Sequence, residues 1–250
     1  MISTQGLSIR TATGHEILSD VSVTLEQAKI HAVIGPNGSG KTTFLKSLAG
    51  LLSPHHGGVT LDQKNVATIN PLSLAAKISY VESQHNAPFA YTVQDTICWG
   101  LWHRHKGFPS ASDRKTVSEA AAILGIESAL TRTVTSLSTG EIKKAHLARS
   151  LASGAKYHIW DEPCAPLDVG AALKLLERVK QLSESGACFI LSFHDIALAL
   201  RYADTVSILQ DGQIKWHGKP DDPECVAYLS KVFDVTVEKN GLALRPALQS

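Results

Sequence analysis

The segment GPNGSGKTT, residues 35–43, constrains the fold more than any other stretch of the chain. It follows the apolar run KIHAVI and precedes a pattern in which Phe44, Leu45 and Leu48 share one helical face. Its spacing satisfies G-x-x-x-x-G-K-[ST] between a strand and a helix. Glycines allow several backbone N–H groups to point at one anion, and a helix N-terminus adds partial positive charge. We therefore predict a phosphate-binding loop; a chance glycine-rich turn is the alternative.

Each part of this loop has a predicted role toward a nucleoside triphosphate. Lys41 would reach the β and γ phosphates, and the hydroxyl of Thr42 would be a ligand of Mg²⁺. The predicted nucleotide-binding residues of the loop are Gly35, Pro36, Asn37, Gly38, Ser39, Gly40, Lys41, Thr42 and Thr43.

Polar side chains follow two further strand-like runs. Asp161 and Glu162 come directly after YHIW, and His194 comes after ACFILSF. The carboxyl ends of parallel strands form the ligand-binding edge of a sheet, so a carboxylate is expected there, beside the phosphate loop. Asp161 would hold Mg²⁺, directly or through water, and Glu162 could accept a proton from an attacking water. His194 becomes a candidate γ-phosphate contact. The alternatives are a solvated acidic pair and a satisfied histidine at a strand end.

A second possible anion site begins at Ser138. Ser138 and Glu141 have the S-x-x-E spacing of a capping box ahead of an apolar helical stripe. A purely structural role as a helix cap is enough to explain both residues. The same residues, with the flexible Gly140, also create a helix N-terminus that could receive an anion.

Changes of periodicity along the chain predict an α/β fold. Short β-type runs open the sequence, and residues from about 86 to 155 read as helical, with N-terminal caps at Thr92 and Ser110. Beyond residue 155, strand-like and helix-like segments alternate, which is typical of a mostly parallel sheet covered by helices. Near the end, VTVEKNGLALRP alternates apolar residues about an Asn-Gly pair and predicts a hairpin.

The charge and cysteine content weigh against several classes of function. The 24 basic and 23 acidic side chains nearly cancel, so the charge pattern does not indicate a nucleic-acid partner. Four widely spaced cysteines without a Cys-x-x-Cys pair favour a reducing compartment over a disulfide framework or a zinc site. There is no signal-peptide pattern, and no apolar run approaches the ~18 residues that span a bilayer. We expect a soluble, cytoplasmic chain.

In order along the chain, Gly35–Thr42, LSTGE, IWDEP, APLD and LSFHD resemble the motifs of the ATP-binding cassette (ABC) ATPases. Within that superfamily, LSFHDIALALRYADTVSIL and YLSKVFDVTVE are similar to the ATPase subunits of bacterial importers for ferric siderophores, haem and cobalamin. The resemblance covers essentially the whole chain. It implies a RecA-like P-loop NTPase core with an N-terminal antiparallel β-subdomain and an inserted α-helical subdomain.

The resemblance also implies how the chain is organised. One ABC ATPase domain would occupy residues 1–250, with the catalytic core and β-subdomain at 1–85 and 156–220. The helical subdomain would occupy 86–155, and a C-terminal extension with a hairpin would occupy 221–250.

Members of this family pair head to tail around ATP, with Mg²⁺ as cofactor. The resemblance therefore implies that Ser138 and Gly140 of one subunit contact the γ-phosphate held by Lys41 of the partner subunit. The other residues to which it gives a role are Glu162 (general base), His194 (γ-phosphate sensor), Asp168 (dimer seam) and Gln84 (contact with Mg²⁺ and the attacking water).

The implied partners are a second ATPase subunit, polytopic permease subunits and, indirectly, a substrate-binding protein. Together they would hold the chain at the cytoplasmic face of the membrane. Two other functions stay open: a soluble ABC-type assembly or repair factor, and a regulatory binder that hydrolyses ATP poorly. Thr139, a β-branched residue where the family usually has glycine, motivates the regulatory binder. Ala12 replaces the usual adenine-stacking aromatic, so adenine selectivity would loosen unless His15 substitutes for it.

Two histidine pairs and two tryptophans have weaker interpretations. His55–His56 and His103-x-His105 have a spacing that a metal could use, but no further ligands in register, so we interpret them as exposed loop residues. Trp99 and Trp102 are interpreted as packing residues, or as the lining of a groove for a membrane subunit.

Overall fold

A six-stranded sheet lies at the centre of the structure, a computed structural model that describes residues 1–83, 90–104, 110–237 and 244–246. Numbered in chain order with the other strands, its members are β3 (Ile30–Ile34), β6 (Ile78–Val81), β7 (Tyr157–Trp160), β8 (Cys188–Phe193), β9 (Thr205–Gln210) and β10 (Gln213–Gly218). The strand order is β10-β9-β3-β8-β7-β6. Only β10 is antiparallel to its neighbour, so the sheet is mostly parallel, as predicted.

Every residue of β3 and β8 is buried. This is the pattern of strands in the middle of a parallel sheet with both faces covered. Because successive side chains point to opposite faces, β3 contributes to two cores. Ala32 and Ile34 belong to the larger apolar cluster, and Val33 belongs to the smaller one together with Phe44.

The described residues form eight α-helices. They are α1 (Lys41–Leu48), α2 (Pro71–Ala75), α3 (Val93–Cys98), α4 (Ala111–Leu124), α5 (Thr139–Ala152), α6 (Val169–Glu184), α7 (Ile196–Tyr202) and α8 (Pro223–Phe233). The predicted caps are confirmed, because Thr92 and Ser110 form capping boxes at the starts of α3 and α4. Helices α3, α4 and α5 pack on one another between β6 and β7 in the chain.

A second, antiparallel sheet packs with α1 against the face of the central sheet that carries Val33. Its antiparallel strands are β1 (Ile2–Arg10), β2 (Glu16–Leu25), β4 (His56–Leu61) and β5 (Lys64–Asn65), in the order β2-β1-β4-β5. Along β2 exposed and buried residues mostly alternate, and its buried side chains Val21, Val23 and Leu25 join the cluster that holds Phe44. The β1 and β2 strands are longer than the β-type runs seen in the sequence.

The C-terminal part departs most from the sequence expectation. Strand β10 and helix α8 were not predicted, whereas the hairpin is confirmed as β11 (Val235–Val237) paired antiparallel with β12 (Leu244–Pro246). The Asn-Gly pair, at which the turn is predicted, lies outside the described residues.

Candidate functional site

The phosphate loop connects the end of β3 to α1. Helix α1 begins at Lys41, and its N-cap Gly40 is left-handed with φ 102°. Glycine adopts this conformation without penalty and offers no side-chain acceptor, so the first-turn N–H groups are not capped by residue 40. The Lys41 ammonium folds back over the loop, where Nζ donates to the carbonyl oxygens of Gly35 at 2.8 Å and Pro36 at 3.0 Å. Burial lowers the pKa of Lys41, while the charges of Glu162 and Asp161 oppose that shift.

Close approach of the backbone explains the first glycine of the loop. A Cβ at Gly35 would lie 2.0 Å from the carbonyl oxygen of Leu209 on β9, so no larger residue fits there. Ser39 Oγ is buried and has no hydrogen-bond partner within the described part of the chain. An orphaned hydroxyl and an uncapped helix start fit a loop that closes around an oxyanion.

Asp161, at the end of β7, joins the loop to the neighbouring strands. The residue is 0% exposed, and its Oδ2 accepts a hydrogen bond of 2.7 Å from Thr42 Oγ1. Its Oδ1 accepts a second one of 2.5 Å from Ser192 Oγ, on β8. The structure therefore brings together two of the three predicted Mg²⁺ ligands, Thr42 and Asp161. A hydroxyl and a carboxylate are the hard oxygen donors that Mg²⁺ prefers, so these residues fit that ion.

Glu162 has an unusual backbone at the same edge. Its φ is +48°, in the left-handed region, and its N–H donates to Ser192 Oγ at 2.8 Å. The Glu162 carboxylate meets His194 beyond the end of β8, with 2.6 Å between Oε1 and Nε2. Both side chains are partly open to solvent, 24% for Glu162 and 49% for His194. A carboxylate placed in this way can accept a proton from a water molecule, and its histidine neighbour can orient it.

Four contacts therefore form one contact chain that links three segments distant in the sequence: Thr42 to Asp161, Asp161 to Ser192, Ser192 to Glu162, and Glu162 to His194. The sequence analysis did not identify Ser192. A hydroxyl inside the otherwise apolar run CFILSF was the available signal, since a buried polar group requires a partner.

Lys143 was also not predicted from the sequence. Its ammonium group lies next to the backbone carbonyl of Asp161. Nζ donates to the carbonyl oxygen of Asp161 at 2.9 Å, and the residue is 1% exposed. Burial lowers the pKa of Lys143 to about 8, although the charges of Asp161 and Glu162 favour the ammonium form. A lysine in a helical stripe reads as a surface residue, so the sequence carried no signal for this contact.

Ser138 and Gly140 lie at the start of α5. Ser138 is the N-cap, and its capping box with Glu141 is confirmed: Glu141 N donates to Ser138 Oγ, and Glu141 Oε2 accepts from Ser138 N at 2.9 Å. Hydrogen bonds from Ser138 lower the pKa of Glu141, and Arg132 contributes further at 3.0 Å. No hydrogen bond in the described chain joins Ser138 or Gly140 to the phosphate loop.

The remaining predicted residues stand apart from the contact chain. Asp168 is the N-cap of α6, where Oδ1 accepts from Ala171 N at 2.8 Å, and Val169 beside it is 78% exposed. Gln84 lies outside the described residues.

Neither histidine pair forms a metal site within the described residues, which contain no group of three or more His, Cys, Asp or Glu that could hold an ion. His55 and His56 are exposed, although His56 belongs to β4 rather than to a loop. His105 lies outside the described residues.

Comparison with solved structures identifies the class of fold. A nucleotide-free ATP-binding cassette from an ABC transporter matches 94% of this chain and 97% of its own, with a TM-score of 0.82 at 23% identity. A dimeric ATP-binding cassette in a post-hydrolysis state with ADP and phosphate matches 88% of this chain and 99% of its own, with a TM-score of 0.80 at 24% identity. The predicted fold class, an α/β P-loop NTPase of the cassette type, is confirmed.

The chain belongs to the ABC transporter family, whose model matches residues 18–165. It is similar to hemin import ATP-binding protein HmuV of Thermobifida fusca, 33% identical over 89% of this chain and 78% of the relative. It is also similar to cobalamin import ATP-binding protein BtuD of Halobacterium salinarum, 32% identical over 93% of this chain and 58% of the relative. A third relative is petrobactin import ATP-binding protein FpuC of Bacillus anthracis, 30% identical over 88% of this chain and 82% of the relative. The predicted resemblance to ATP-binding subunits of importers is thereby confirmed, and membership implies ATP binding and hydrolysis. Among the described helices, none has the length and apolarity to cross a bilayer.

Proposed function

We propose that this chain is the Mg²⁺-dependent ATPase subunit of an importer for a ferric siderophore, haem or cobalamin. The contact chain from Thr42 through Asp161, Ser192 and Glu162 to His194 is the observation that carries the ATPase assignment. The names of the relatives, which are hemin, cobalamin and petrobactin import ATP-binding proteins, support the substrate class. They do not favour a soluble assembly or repair factor. We retain the proposed subdomain bounds, with helices at 86–155 and the C-terminal extension at 221–250.

Three residues would hold the metal ion: Thr42 and Asp161, which already meet at 2.7 Å, and Gln84. When bound, Mg²⁺ would neutralise the negative charge that develops on the phosphates during hydrolysis. The loop residues from Gly35 to Thr43 would surround the phosphates with backbone N–H groups, and Lys41 would exchange its two carbonyl contacts for phosphate oxygens.

Glu162 would act as the general base. Its carboxylate takes a proton from the water that attacks the γ-phosphorus, and the terminal phosphoryl group leaves ADP as phosphate. His194 lies beside the base, with Nε2 at 2.6 Å from Glu162 Oε1, and would contact the γ-phosphate through a ring nitrogen. The site would then distinguish ATP from ADP by whether His194 has a phosphate oxygen to bind.

A second copy, or a paired ATPase subunit, would complete the site. Within the described residues, Ser138 and Gly140 make no hydrogen bond to the phosphate loop of their own chain. The exposed Val169 marks the start of α6, next to Asp168, as available for a partner. ATP held between Lys41 of one subunit and Ser138 of the other would join two chains, and hydrolysis would remove that differential binding.

The membrane partner would be a polytopic permease, which would place the chain at the cytoplasmic face of the membrane and connect it indirectly to a substrate-binding protein. Tyr91, Trp99 and Trp102 support this assignment, because they are 43%, 41% and 62% exposed. Tyr91 and Trp99 also stack edge to face at 4.6 Å. Exposed clustered aromatics of this kind are typical of protein docking surfaces.

The Glu162→Gln variant tests the ATPase assignment. Without the base, the variant should bind Mg²⁺-ATP and accumulate as an ATP-bound dimer in size-exclusion chromatography with light scattering, while wild type with ADP stays monomeric. Its hydrolysis rate should fall by about a thousandfold. An unchanged rate would remove Glu162 as the base, and no detectable ATP binding at millimolar nucleotide would reject the proposed function.

Co-purification tests the transport assignment separately. Affinity-tagged chain extracted from membranes in mild detergent should retain a multi-span protein, and Trp102→Ala should weaken that association without changing ATP affinity. Recovery of the tagged chain only in the soluble fraction, without a polytopic partner, would favour the assembly-factor alternative instead.

A further inference from the structure

Lys143 lies inside the molecule on the second turn of α5. Its side chain is among the largest that are fully buried. The ammonium nitrogen donates to three carbonyl oxygens, at 2.6 Å to Glu82, 2.9 Å to Asp161 and 3.3 Å to Ser83. All three donors of the ammonium group are therefore used.

This cation is satisfied by carbonyl groups rather than by a carboxylate. Within the described part of the chain, no ion pair joins Lys143 to an acidic side chain. Removing an ammonium group from water is expensive unless its donors are hydrogen-bonded, and the lowered pKa of Lys143 reflects that penalty. The buried position of the Lys143 ammonium group thus depends on the positions of the three carbonyl oxygens that accept its hydrogen bonds.

The three carbonyls belong to segments with different roles in the proposed site. Asp161 carries the carboxylate that accepts a hydrogen bond from Thr42. Ser83 directly precedes Gln84 in the chain. Lys143 itself follows Ser138, the N-cap of α5, by little more than one helical turn. The Lys143 ammonium group therefore connects two parts of the proposed site. Its carbonyl partners lie beside the residues that would hold the chain's own nucleotide, and Lys143 itself belongs to α5, the helix that would face the partner's nucleotide.

A second contact fixes the far end of the same helix. Ser150, two turns beyond Lys143, bonds to His158 Nδ1 at 3.0 Å and accepts from Trp160 Nε1 at 2.8 Å, and both of those residues lie on β7. Two attachments set the direction of α5 relative to β7. With the Lys143 attachment removed, α5 would stay anchored near Ser150 and could pivot at its Ser138 end.

We propose that Lys143 is a positioning residue that couples the two ATP sites of the dimer. It holds the Ser138 end of α5 in register with Asp161 and residues 82–83, so that occupancy of a chain's own site sets the orientation of the helix it presents to its partner. This role rests on the proposed function, since it presupposes the two-chain ATP site.

The test separates ATP affinity from cooperativity in the full chain. Lys143→Met keeps a long, unbranched side chain, one atom shorter than that of lysine, and removes its hydrogen-bond donors. The variant should bind Mg²⁺-ATP as a monomer within about twofold of wild type, because the phosphate loop is untouched. In the Glu162→Gln background, the ATP-driven dimerisation of Lys143→Met should weaken by about tenfold or more. In the chain that retains Glu162, Lys143→Met should lower the Hill coefficient of hydrolysis toward that of independent sites.

Two further variants keep this result interpretable. Lys144→Met is the matched control, since Lys144 is the next residue of α5 and lines an open cleft against α4 and α6, so its dimerisation should match that of the parent. Lys143→Gln retains two donors and should restore part of the coupling if Lys143→Met folds poorly.

Three outcomes would overturn the coupling role. They are normal dimerisation and Hill coefficient in both Lys143 variants, an equal loss in Lys144→Met, or a loss of monomer ATP affinity as large as the loss of dimerisation. If the Glu162→Gln parent itself fails to bind ATP or to dimerise, the proposed function fails and the coupling role falls with it. Normal behaviour of the parent with normal behaviour of the Lys143 variants rejects the coupling role alone.

Discussion

At the scale of single residues, Ser192 explains how Glu162 keeps a left-handed backbone. A non-glycine residue at positive φ costs roughly 1 kcal/mol or more, so its neighbours must stabilise it. The Ser192 hydroxyl accepts the Glu162 N–H at 2.8 Å and donates its own proton to Asp161. One buried hydroxyl therefore fixes both the proposed base and the proposed metal ligand.

Removing this hydroxyl should separate catalysis from nucleotide binding. In Ser192→Ala, the Glu162 N–H and one Asp161 oxygen lose their partner, and we expect kcat to fall about ten- to a hundredfold while KM for ATP changes little. The concentration of Mg²⁺ that gives half-maximal activity should rise, and Ser192→Thr should restore most of the rate. Steady-state kinetics with ATP and Mg²⁺ titrations measure both effects. If Ser192→Ala keeps the wild-type kcat, or loses ATP affinity in proportion to kcat, Ser192 has no positioning role.

The residues found from the sequence differ in kind from those that were missed. Thr42, Asp161 and Glu162 stand at strand ends or in a spaced pattern, where topology alone predicts that they meet. Ser192 and Lys143 act through hydrogen bonds to residues that are at least 30 and 18 positions away in the chain, respectively. Nothing in their local sequence specifies those partners, so they required the fold.

At the scale of elements, α5 begins with a capping box that has two interpretations: a structural cap, or a cap that also receives an anion. The Ser138 hydroxyl and Glu141 carboxylate bond to each other and to the first-turn backbone. Helix α4 begins with the same device at Ser110 and Asp113, and nothing places that end near a nucleotide. The two helices therefore provide an internal comparison.

Ser110→Ala and Ser138→Ala should each lower the free energy of unfolding by about 1 kcal/mol, because each removes one N-cap hydroxyl. Only Ser138→Ala should also reduce ATP-driven dimerisation and hydrolysis, by about tenfold, since only Ser138 would meet the partner's γ-phosphate. Denaturant titration and light scattering on both variants provide the comparison. Equal activity in the two variants would leave Ser138 as a cap alone.

Element prediction was strongest where local chemistry is decisive. The caps at Thr92, Ser110 and Ser138 follow from side-chain chemistry and are confirmed. Helix α8 was missed although a signal was present: Asp222 caps it, a proline stands at its first position, and its buried face repeats every three to four residues at Cys225, Leu229 and Val232.

At the scale of the whole molecule, the order of strands in the sheet could not be predicted from the sequence. Strand β3 pairs with β8 and β9, whose residues follow it by more than 150 positions, and β7 separates β8 from β6. Alternation of elements specifies a parallel sheet, but which strands become neighbours depends on packing summed over the molecule. That pairing nonetheless carries the site, because it brings Asp161 and Ser192 together.

The same pairing buries an imidazole between α5 and the sheet. His158 on β7 is 4% exposed and stacks on Phe189 of β8 at 4.9 Å. Trp160 Nε1 donates to Ser150 Oγ, and the same hydroxyl lies 3.0 Å from His158 Nδ1. Burial lowers the pKa of His158 from 6.5 to about 4.

Stability should accordingly decline in acid. Above about pH 6.5, His158 is neutral in both the folded and the unfolded state and contributes no pH dependence to stability. Between about pH 6.5 and pH 4, His158 binds a proton in the unfolded chain but stays neutral in the folded chain. From about pH 7.5 to about pH 5, His158 should account for about 2 kcal/mol of lost unfolding free energy, measured by denaturant titration at each pH. His158→Gln, which cannot titrate, should flatten that slope even if it lowers stability at every pH. His56→Gln, at an exposed histidine, is the matched control and should keep the wild-type slope. An unchanged slope in His158→Gln would show that α5 and β7 pack loosely enough to admit the charge, contrary to the rigid attachment on which the coupling through α5 depends.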